Sequence, residues 1–340
     1  MPECTLNYFI RSNSSRGYAS FFQSNFSRLR TVVRLDGYPS VAVADIVGNI
    51  CADALEKGFH AQLIHNCLDN SLEGVIIPER SAGVINFPLY DEEEYCIAAI
   101  LNDDNLNLTF AGLEAARRHF AAALEIHDRW EKIYISNMDF DAANKLAANT
   151  IEKVVGGNTL PKQGEQIHRF FGAATIDGSF DYIDGLTSHL AKRYFIKGRP
   201  GTGKSTFLRK IADYASAAGF ETEVYHCAFD PNSLDMIVLR ELSLCVFDST
   251  SPHEYFPSRP SDEIIDIYKA AVVDKTDEKY RTEIAAIMTD YKSEIAKATK
   301  QLTRAKKYYD EVQRGILSKI SAKALGNAEK KIHNKIFEDG

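Results

Sequence analysis

The stretch Gly198-Arg-Pro-Gly-Thr-Gly-Lys-Ser-Thr206 decides the fold, because it matches the pattern GxxxxGK[ST] between an apolar, strand-like run and an amphipathic helix. Its glycines let the backbone curl so that successive N–H groups face inward, and the helix that follows adds its partial positive charge. In such a loop Lys204 reaches the β- and γ-phosphates of a nucleotide, and the Ser205 hydroxyl binds Mg²⁺. The predicted phosphate loop consists of Gly198, Arg199, Pro200, Gly201, Thr202, Gly203, Lys204, Ser205 and Thr206, with Arg199 and Pro200 on its outer side.

Asp248 is the candidate metal ligand outside the loop. It closes the apolar run Leu242–Asp248, which predicts a strand. A carboxylate at the carboxyl end of a strand beside a phosphate loop can hold Mg²⁺ through water. We therefore predict Ser205 and Asp248 as metal-binding residues and Asp248 as the Walker B aspartate. Ser249 follows it where many ATPases have Glu, so the sequence leaves the catalytic base unidentified.

Two further loops are predicted at the same edge of the sheet, where open α/β sheets bind their ligands. The first carries Asp230, which in a kinase could accept the proton of a hydroxyl substrate; a plain Asp-Pro-Asn-Ser turn is an equally supported alternative. In the second, His253 or Glu254 could orient the attacking water, and Arg259 could neutralise charge on the transferred phosphoryl group. For these last three residues, a loop hydrogen bond or a surface charge is the favoured alternative.

The chain also contains a long internal repeat, which extends the interpretation to the first half. Residues 9–18 resemble residues 170–179 at an offset of 161, and the match continues downstream with one inserted residue. The equivalent pairs include Phe9 and Phe170, Gly17 and Gly178, Gly37 and Gly198, Pro39 and Pro200, Gly58 and Gly219, and His65 and His226. Both copies alternate strand-like and helical runs, which predicts an α/β fold with mainly parallel sheets and a helical appendage to each copy.

We predict two tandem P-loop NTPase-like domains, residues 1–155 and 167–340, joined by a linker at 156–166. Only the second is expected to bind a nucleotide. In the first copy Ser40, Ala42, Val43 and Ala44 stand where the second has Gly201, Gly203, Lys204 and Ser205, and Asn86 stands in place of Asp248. Without the lysine charge, the hydroxyl and the glycines, the first copy should hold no Mg-nucleotide.

The chain resembles a bacterial family of tandem-duplicated P-loop ATPases whose physiological role is largely unassigned. The resemblance covers nearly the whole chain and is most specific in the segments FFGAAT (170–175), YFIKGRPGTGKST (194–206), YHCAFDPNSLD (225–235) and FDSTSPHEYFPSRPSDEIID (247–266). Typical members carry an intact phosphate loop in both halves, so the first half of this chain departs from the family pattern. The resemblance implies ATP binding through Gly201–Thr206 and ATP hydrolysis, and it identifies no further substrate.

A coiled-coil seam is predicted near the C-terminus. Apolar or small residues alternate by four and three at positions 284, 288, 291, 295, 298, 302, 305, 309 and 312. An intramolecular helix is the favoured partner, for example the counterpart around Leu113–Tyr134 in the first copy; a second molecule, giving a homodimer, is the alternative. The run Lys297–Lys335 carries 11 Lys/Arg against 3 Asp/Glu and is interpreted as a solvated helix face, with nucleic-acid binding less favoured.

The composition excludes several other classes of protein. With 45% hydrophobic and 26% charged residues, the chain has enough apolar material for globular domains and is not a disordered protein. No apolar run is long enough to span a membrane, and the N-terminus lacks a signal-peptide pattern, so we expect a cytoplasmic protein without a membrane partner. The six cysteines form no CxxC pair and are expected to be mostly buried thiols.

Together these features predict an ATP-binding protein that uses ATP and Mg²⁺ at a single Walker A/Walker B site and acts as an ATPase. One alternative is a small-molecule or nucleoside kinase with Asp230 as the acceptor base. Another is a nucleotide-gated interaction protein in which turnover is incidental.

Overall fold

A computed structural model of the protein describes residues 5–88, 103–250 and 254–338. The strands are β1 (Thr5–Phe9), β2 (Arg11–Ser14), β3 (Gly17–Ser20), β4 (Thr31–Arg34), β5 (Ala61–His65), β6 (Leu72–Ile77), β7 (Ala82–Ile85), β8 (Gln166–Phe170), β9 (Gly172–Thr175), β10 (Gly178–Asp181), β11 (Lys192–Lys197), β12 (Thr222–His226), β13 (Leu234–Leu239), β14 (Leu244–Asp248) and β15 (Glu263–Asp266). The helices are α1 (Phe22–Phe26), α2 (Ser40–Glu56), α3 (Asp104–Ile135), α4 (Phe140–Val154), α5 (Ile183–Thr187), α6 (Lys204–Ala217), α7 (Ile267–Ala271), α8 (Thr276–Lys279), α9 (Arg281–Leu317) and α10 (Ala322–Phe337).

Eleven of the strands form one mixed sheet, in the order β15-β11-β14-β13-β12-β8-β1-β5-β6-β7-β4. Its two halves meet where β1 and β8 run antiparallel, with Phe9 opposite Phe170. These two residues are equivalent in the repeat, so an approximate two-fold rotation about this pair relates the halves. The predicted α/β class is confirmed, but the mainly parallel sheets expected for the separate copies are joined into one sheet that contains reversed strands.

The reversed strand of each half, β6 or β13, lies in a segment that the sequence analysis did not identify as a strand. β13 pairs antiparallel with both β12 and β14, and β6 does the same between β5 and β7. Both strands are almost entirely buried, so they show little of the polar alternation that marks a half-exposed strand. The reversal leaves β14 parallel to β11, which brings the carboxyl ends of these two strands to one edge.

Alternate side chains of the sheet contribute to cores on its two faces. One face carries a single cluster that crosses both halves, from Tyr8 and Ile64 to Tyr225 and Phe247, and it is covered by α1 and α5. On the other face, α2 covers the first half and α6 covers the second. The continuous cluster makes the two halves one packing unit.

The C-terminal helices of each copy cover the opposite copy. In α4, Val154 is buried in the core of the second half. In α10, Ile336 is buried in the core of the first half, and its carbonyl accepts a hydrogen bond from Arg80 Nε at 3.1 Å. The domain boundaries predicted from the sequence, 1–155 and 167–340, therefore assign α4 to the first domain and α10 to the second, although each helix covers the opposite half of the sheet.

The long helices α3 and α9 pack against each other as an antiparallel pair. Gly112 of α3 contacts Ala305 of α9, and Ile133 packs with Ile287 towards the other end. The coiled-coil seam of α9 thus packs against the counterpart helix of the first copy, which is the intramolecular partner that the sequence favoured. None of the helices in the described residues is both long and apolar enough to cross a membrane.

The cysteines within the described residues are free thiols. Cys51, Cys67 and Cys245 are buried, as expected, and Cys227 is half-buried.

The close approach of α3 to α9 gives a stability prediction. A Cβ at Gly112 would lie 2.9 Å from the Ala305 Cβ, whereas a Cβ at Gly48 in α2 would have no heavy atom within 4 Å. We expect Gly112→Ala to lower the free energy of unfolding by about 1–3 kcal/mol through overpacking, and Gly48→Ala to raise it by about 0.5–1 kcal/mol through helix propensity. Urea unfolding of the two variants checks this; equal effects would show that the helices separate easily at Gly112.

Candidate functional site

The loop between β11 and α6 has the backbone shape expected of a phosphate loop. Gly201 and Gly203 adopt φ values of +76° and +78°, which favour glycine. Inside the loop, the buried Thr202 hydroxyl donates to the Arg199 carbonyl at 2.7 Å and accepts from the Arg199 N–H at 3.2 Å. A Cβ at Gly198 would lie 2.6 Å from that hydroxyl oxygen. The loop is thus held in shape by its own side chains and glycines.

The candidate phosphate and metal groups converge at the carboxyl edge of β11 and β14. Parallel pairing places Asp248 opposite Ile196, and Asp248 Oδ2 lies 3.5 Å from Lys204 Nζ. Lys204 Nζ also donates to the Arg199 carbonyl at 2.9 Å. Ser205 follows Lys204 in the first turn of α6, and its hydroxyl accepts a hydrogen bond from the Leu234 N–H at 2.9 Å. The carboxylate, ammonium and hydroxyl predicted to act together therefore share one site.

Asp248 also accepts hydrogen bonds from its own loop. The backbone N–H and the hydroxyl of Thr250 donate to Asp248 Oδ1 at 3.0 and 2.6 Å. These bonds leave Oδ2 facing Lys204. A carboxylate with one oxygen fixed and the other beside the loop lysine is suited to hold a hydrated divalent cation.

Helix α3 of the first half lies directly on the phosphate loop, a contact that the sequence analysis did not anticipate. A Cβ at Gly201 would lie 2.5 Å from the Glu131 carbonyl oxygen and 2.8 Å from its Cα. The Gly201 N–H lies near the Glu131 carboxylate and partly offsets the rise in its pKa that burial causes. On the outer side of the loop, Arg199 Nη2 lies 2.8 Å from Asp277 Oδ2, and the Tyr134 hydroxyl donates to Asp277 Oδ1 at 2.8 Å.

The same helix brings titratable side chains to the loop. Burial raises the pKa of Glu131, and the charge of Asp128 adds to the rise while Lys204 opposes it. Burial lowers the pKa of His127, and Lys204 lowers it further. One ligand atom from each of His127, Asp128 and Glu131 lies within 4.8 Å of the others, so these side chains could hold a metal ion. Residues of the first half thus contribute to the electrostatics of the loop.

Asp230 is engaged by an arginine from the first half. Arg16 Nε and Nη2 donate to its two carboxylate oxygens at 2.6 and 2.9 Å. Arg16 stands at the turn between β2 and β3, and the adjacent Ser15 N–H and hydroxyl donate to the Phe229 carbonyl at 2.9 and 2.6 Å. The hairpin β9–β10 of the second half makes the equivalent contact with the first half, because the Ile176 N–H donates to the Leu68 carbonyl at 2.9 Å. Each hairpin therefore docks on a loop of the other half.

The remaining candidates do not join this group. Arg259 Nη1 donates to the Leu190 carbonyl at 3.0 Å. Leu190 precedes β11, whereas the phosphate loop follows it, so Arg259 lies at the opposite edge of the sheet and is not placed to neutralise a transferred phosphoryl group. The reason is that the chain after Asp248 must return to that edge to begin β15. Glu254 is exposed on this return, and His253 lies outside the described residues.

In the first half, the equivalent loop has no phosphate-binding groups. β4 is followed by a turn and by α2, which begins at Ser40 after Pro39. The Ser40 N–H donates to Gln313 Oε1 of α9 at 2.5 Å. Ala42 and Val43 are buried in the position of Gly203 and Lys204, so apolar packing replaces the charged site.

No protein-family model matches the chain, and no solved structure matches it either. The family resemblance of the sequence motifs therefore stays a prediction.

The contact between α3 and the loop gives a second stability prediction. Both Gly201→Ala and Gly203→Ala place a side chain at positive φ, which costs about 1–3 kcal/mol. Only at Gly201 would the new Cβ meet backbone, at 2.5 Å from Glu131, because a Cβ at Gly203 has no heavy atom within 4 Å. We expect Gly201→Ala to reduce the free energy of unfolding by about 1–3 kcal/mol more than Gly203→Ala, measured by urea denaturation without nucleotide. Equal losses would argue against tight packing of α3 on the loop.

Proposed function

We propose that the protein binds ATP and Mg²⁺ at one site in its second half and hydrolyses the nucleotide there. The observation that carries the proposal is the 3.5 Å approach of Lys204 Nζ to Asp248 Oδ2 beside a preformed glycine-rich loop. The loop N–H groups and Lys204 would bind the phosphates. Ser205 and Asp248 would hold Mg²⁺, which neutralises charge that develops on the phosphate oxygens.

We also infer that the two halves are two P-loop NTPase-like units. The strand, loop and helix that carry Gly198–Thr206 recur in the first half as β4, residues 35–39 and α2. The neighbouring strands recur as well, in the order β4, β7, β6, β5, β1 against β11, β14, β13, β12, β8. The first unit keeps this frame without the groups that phosphate and Mg²⁺ require.

The kinase alternative has less support than the ATPase. Both carboxylate oxygens of Asp230 accept hydrogen bonds from Arg16, so a substrate hydroxyl would have to displace the arginine to reach them. The gated alternative is favoured by a specific contact, the packing of α3 on Gly201.

Substitution of the loop lysine and the Walker B aspartate tests the proposal. Lys204→Ala should weaken Mg-ATP binding by about 100-fold, because charge-assisted contacts with phosphate are lost. Asp248→Asn should keep nucleotide binding without Mg²⁺ and lose Mg-dependent hydrolysis. Calorimetry and release of ADP are the measurements, and Lys323→Ala, an exposed lysine of α10, is the matched control. Unchanged ATP binding and hydrolysis in Lys204→Ala would refute the assignment.

The number of nucleotides bound is a separate prediction. The first half has Val43 and Asn86 where the second has Lys204 and Asp248, so calorimetric titration with Mg-ATP should give about one nucleotide per chain. A stoichiometry near two would mean that the first half binds nucleotide by other groups.

A further inference from the structure

The phosphate loop and its counterpart are contacted at the same backbone position by helices of the opposite halves. Ser40 and Gly201 are equivalent in the repeat, 161 positions apart. The N–H of Ser40 donates to Gln313 of α9 at 2.5 Å. A Cβ at Gly201 would lie 2.5 Å from the Glu131 carbonyl oxygen of α3, and the Gly201 N–H is near enough to the Glu131 carboxylate to oppose the rise in its pKa that burial causes. Helices of the opposite halves thus approach equivalent positions of the repeat, but one side chain there is a neutral amide and the other is an acid.

This N–H group matters because the N–H groups of a phosphate loop are the donors that bind phosphate oxygens. One N–H cannot make a full hydrogen bond to a carboxylate and to a phosphate at the same time. Two anions close together in a half-buried site also repel each other strongly. In the first half no phosphate competes, so the contact of Gln313 can be permanent. In the second half the contact of Glu131 is incompatible with a bound nucleotide.

We propose that Glu131 occupies the phosphate loop in the nucleotide-free protein, and that nucleotide binding expels it and shifts the α3–α9 pair. The inference rests on the proposed function, because it concerns regulation of the same site. Glu131 acts as a competing anion: it lowers the affinity for nucleotide and couples the occupancy of the site to the position of α3.

The backbone of α3 must take part in the shift. A Cβ at Gly201 would meet the Glu131 carbonyl oxygen and Cα, so the backbone of α3 borders the loop as closely as the side chain does, and a change in the shape of the loop acts on the helix directly. Tyr134, one turn further along α3, shares Asp277 with Arg199 of the loop. Movement of the loop therefore also changes a second contact with α3.

The shift is transmitted along a helix pair that is packed over most of its length. Near the loop, His127 of α3 lies against Tyr291 of α9, with ring centroids 6.0 Å apart, and Ile133 packs with Ile287. At the far end Gly112 contacts Ala305. Such close contacts leave little room for one helix to slide on the other, so a shift of α3 near the loop also moves the facing segment of α9.

Removal of the competing carboxylate tests the proposal. Glu131→Ala and Glu131→Gln should each tighten Mg-ATP binding by about tenfold in calorimetry, because an anion leaves the site. Gln313→Ala removes the equivalent contact in the first half and should leave the affinity unchanged. Hydrogen exchange of amides 126–135 and 281–292 should rise in the wild type when Mg-ATP binds, and should already be raised in nucleotide-free Glu131→Ala. Thermal unfolding monitored by circular dichroism shows whether each variant is folded.

The outcomes separate this inference from the proposed function. If neither the wild type nor Glu131→Ala binds Mg-ATP, the nucleotide site itself fails, and this inference fails with it. If both bind with equal affinity, only the role of Glu131 is refuted. Hydrolysis that falls about 100-fold in Glu131→Gln, with no change in helix exchange, would make Glu131 the catalytic base and would also overturn the proposal.

Discussion

The antiparallel pairing of β1 with β8 is the constraint on which the rest of the molecule depends. It joins Phe9 to Phe170, and a buried arginine next to it makes a hydrogen bond across the junction. Arg169 donates to Gln62 of the first half at 3.0 Å and lies 3.3 Å from Glu223. Burial would raise the pKa of Glu223, but two neighbouring arginines lower it to about 2, so the carboxylate is ionised at neutral pH. The ion pair of Arg169 with Glu223 lies within the second half, whereas the bond to Gln62 crosses the junction. Separation of the halves would remove that acceptor from the buried Arg169, at a cost of about 1–3 kcal/mol.

In the joined sheet, the C-terminal helices and the hairpins of each copy pack on the opposite copy. Helix α4 leaves the first copy and covers the second, while α10 covers the first. The hairpins cross in the same way, so Arg16 of the first copy reaches Asp230 of the second. The half without phosphate-binding residues is therefore part of the environment of the other half's loop. This gives a physical reason for its apolar pattern to persist: without it, the second half would lose the helix and the hairpin that border its site.

The sequence predicted what is determined locally and missed what is determined by pairing between distant segments. The strand–loop–helix of Gly198–Thr206 is encoded by adjacent residues, and the duplication was found from residue pairs that recur about 161 positions apart, such as Phe9 and Phe170. The reversed strands were missed because β6 and β13 are buried on both faces and lack alternation. The contact of Glu131 with Gly201 could not be found from residue spacing. The pattern of α3 indicates only a helix that packs on α9, and its position beside the loop depends on how the two halves join at Phe9 and Phe170. Arg259 was misplaced because a loop's sequence does not say to which edge of the sheet it returns.

In the proposed displacement, Gln313 and Glu131 occupy equivalent places in the repeat, and only the contact of Glu131 is exchanged for a ligand. The Ser40 N–H donates to Gln313, and the N–H of the equivalent residue, Gly201, opposes the rise in the pKa of Glu131 that burial causes. The neutral amide satisfies its donor without creating a charge, and it faces a half in which Val43 has replaced the lysine. The carboxylate sits near Lys204, which favours its charged form, while burial disfavours it. An acceptor held by opposing effects of this kind is easier to displace than the amide, because a phosphate group offers the loop more charge and more acceptor oxygens than one carboxylate does.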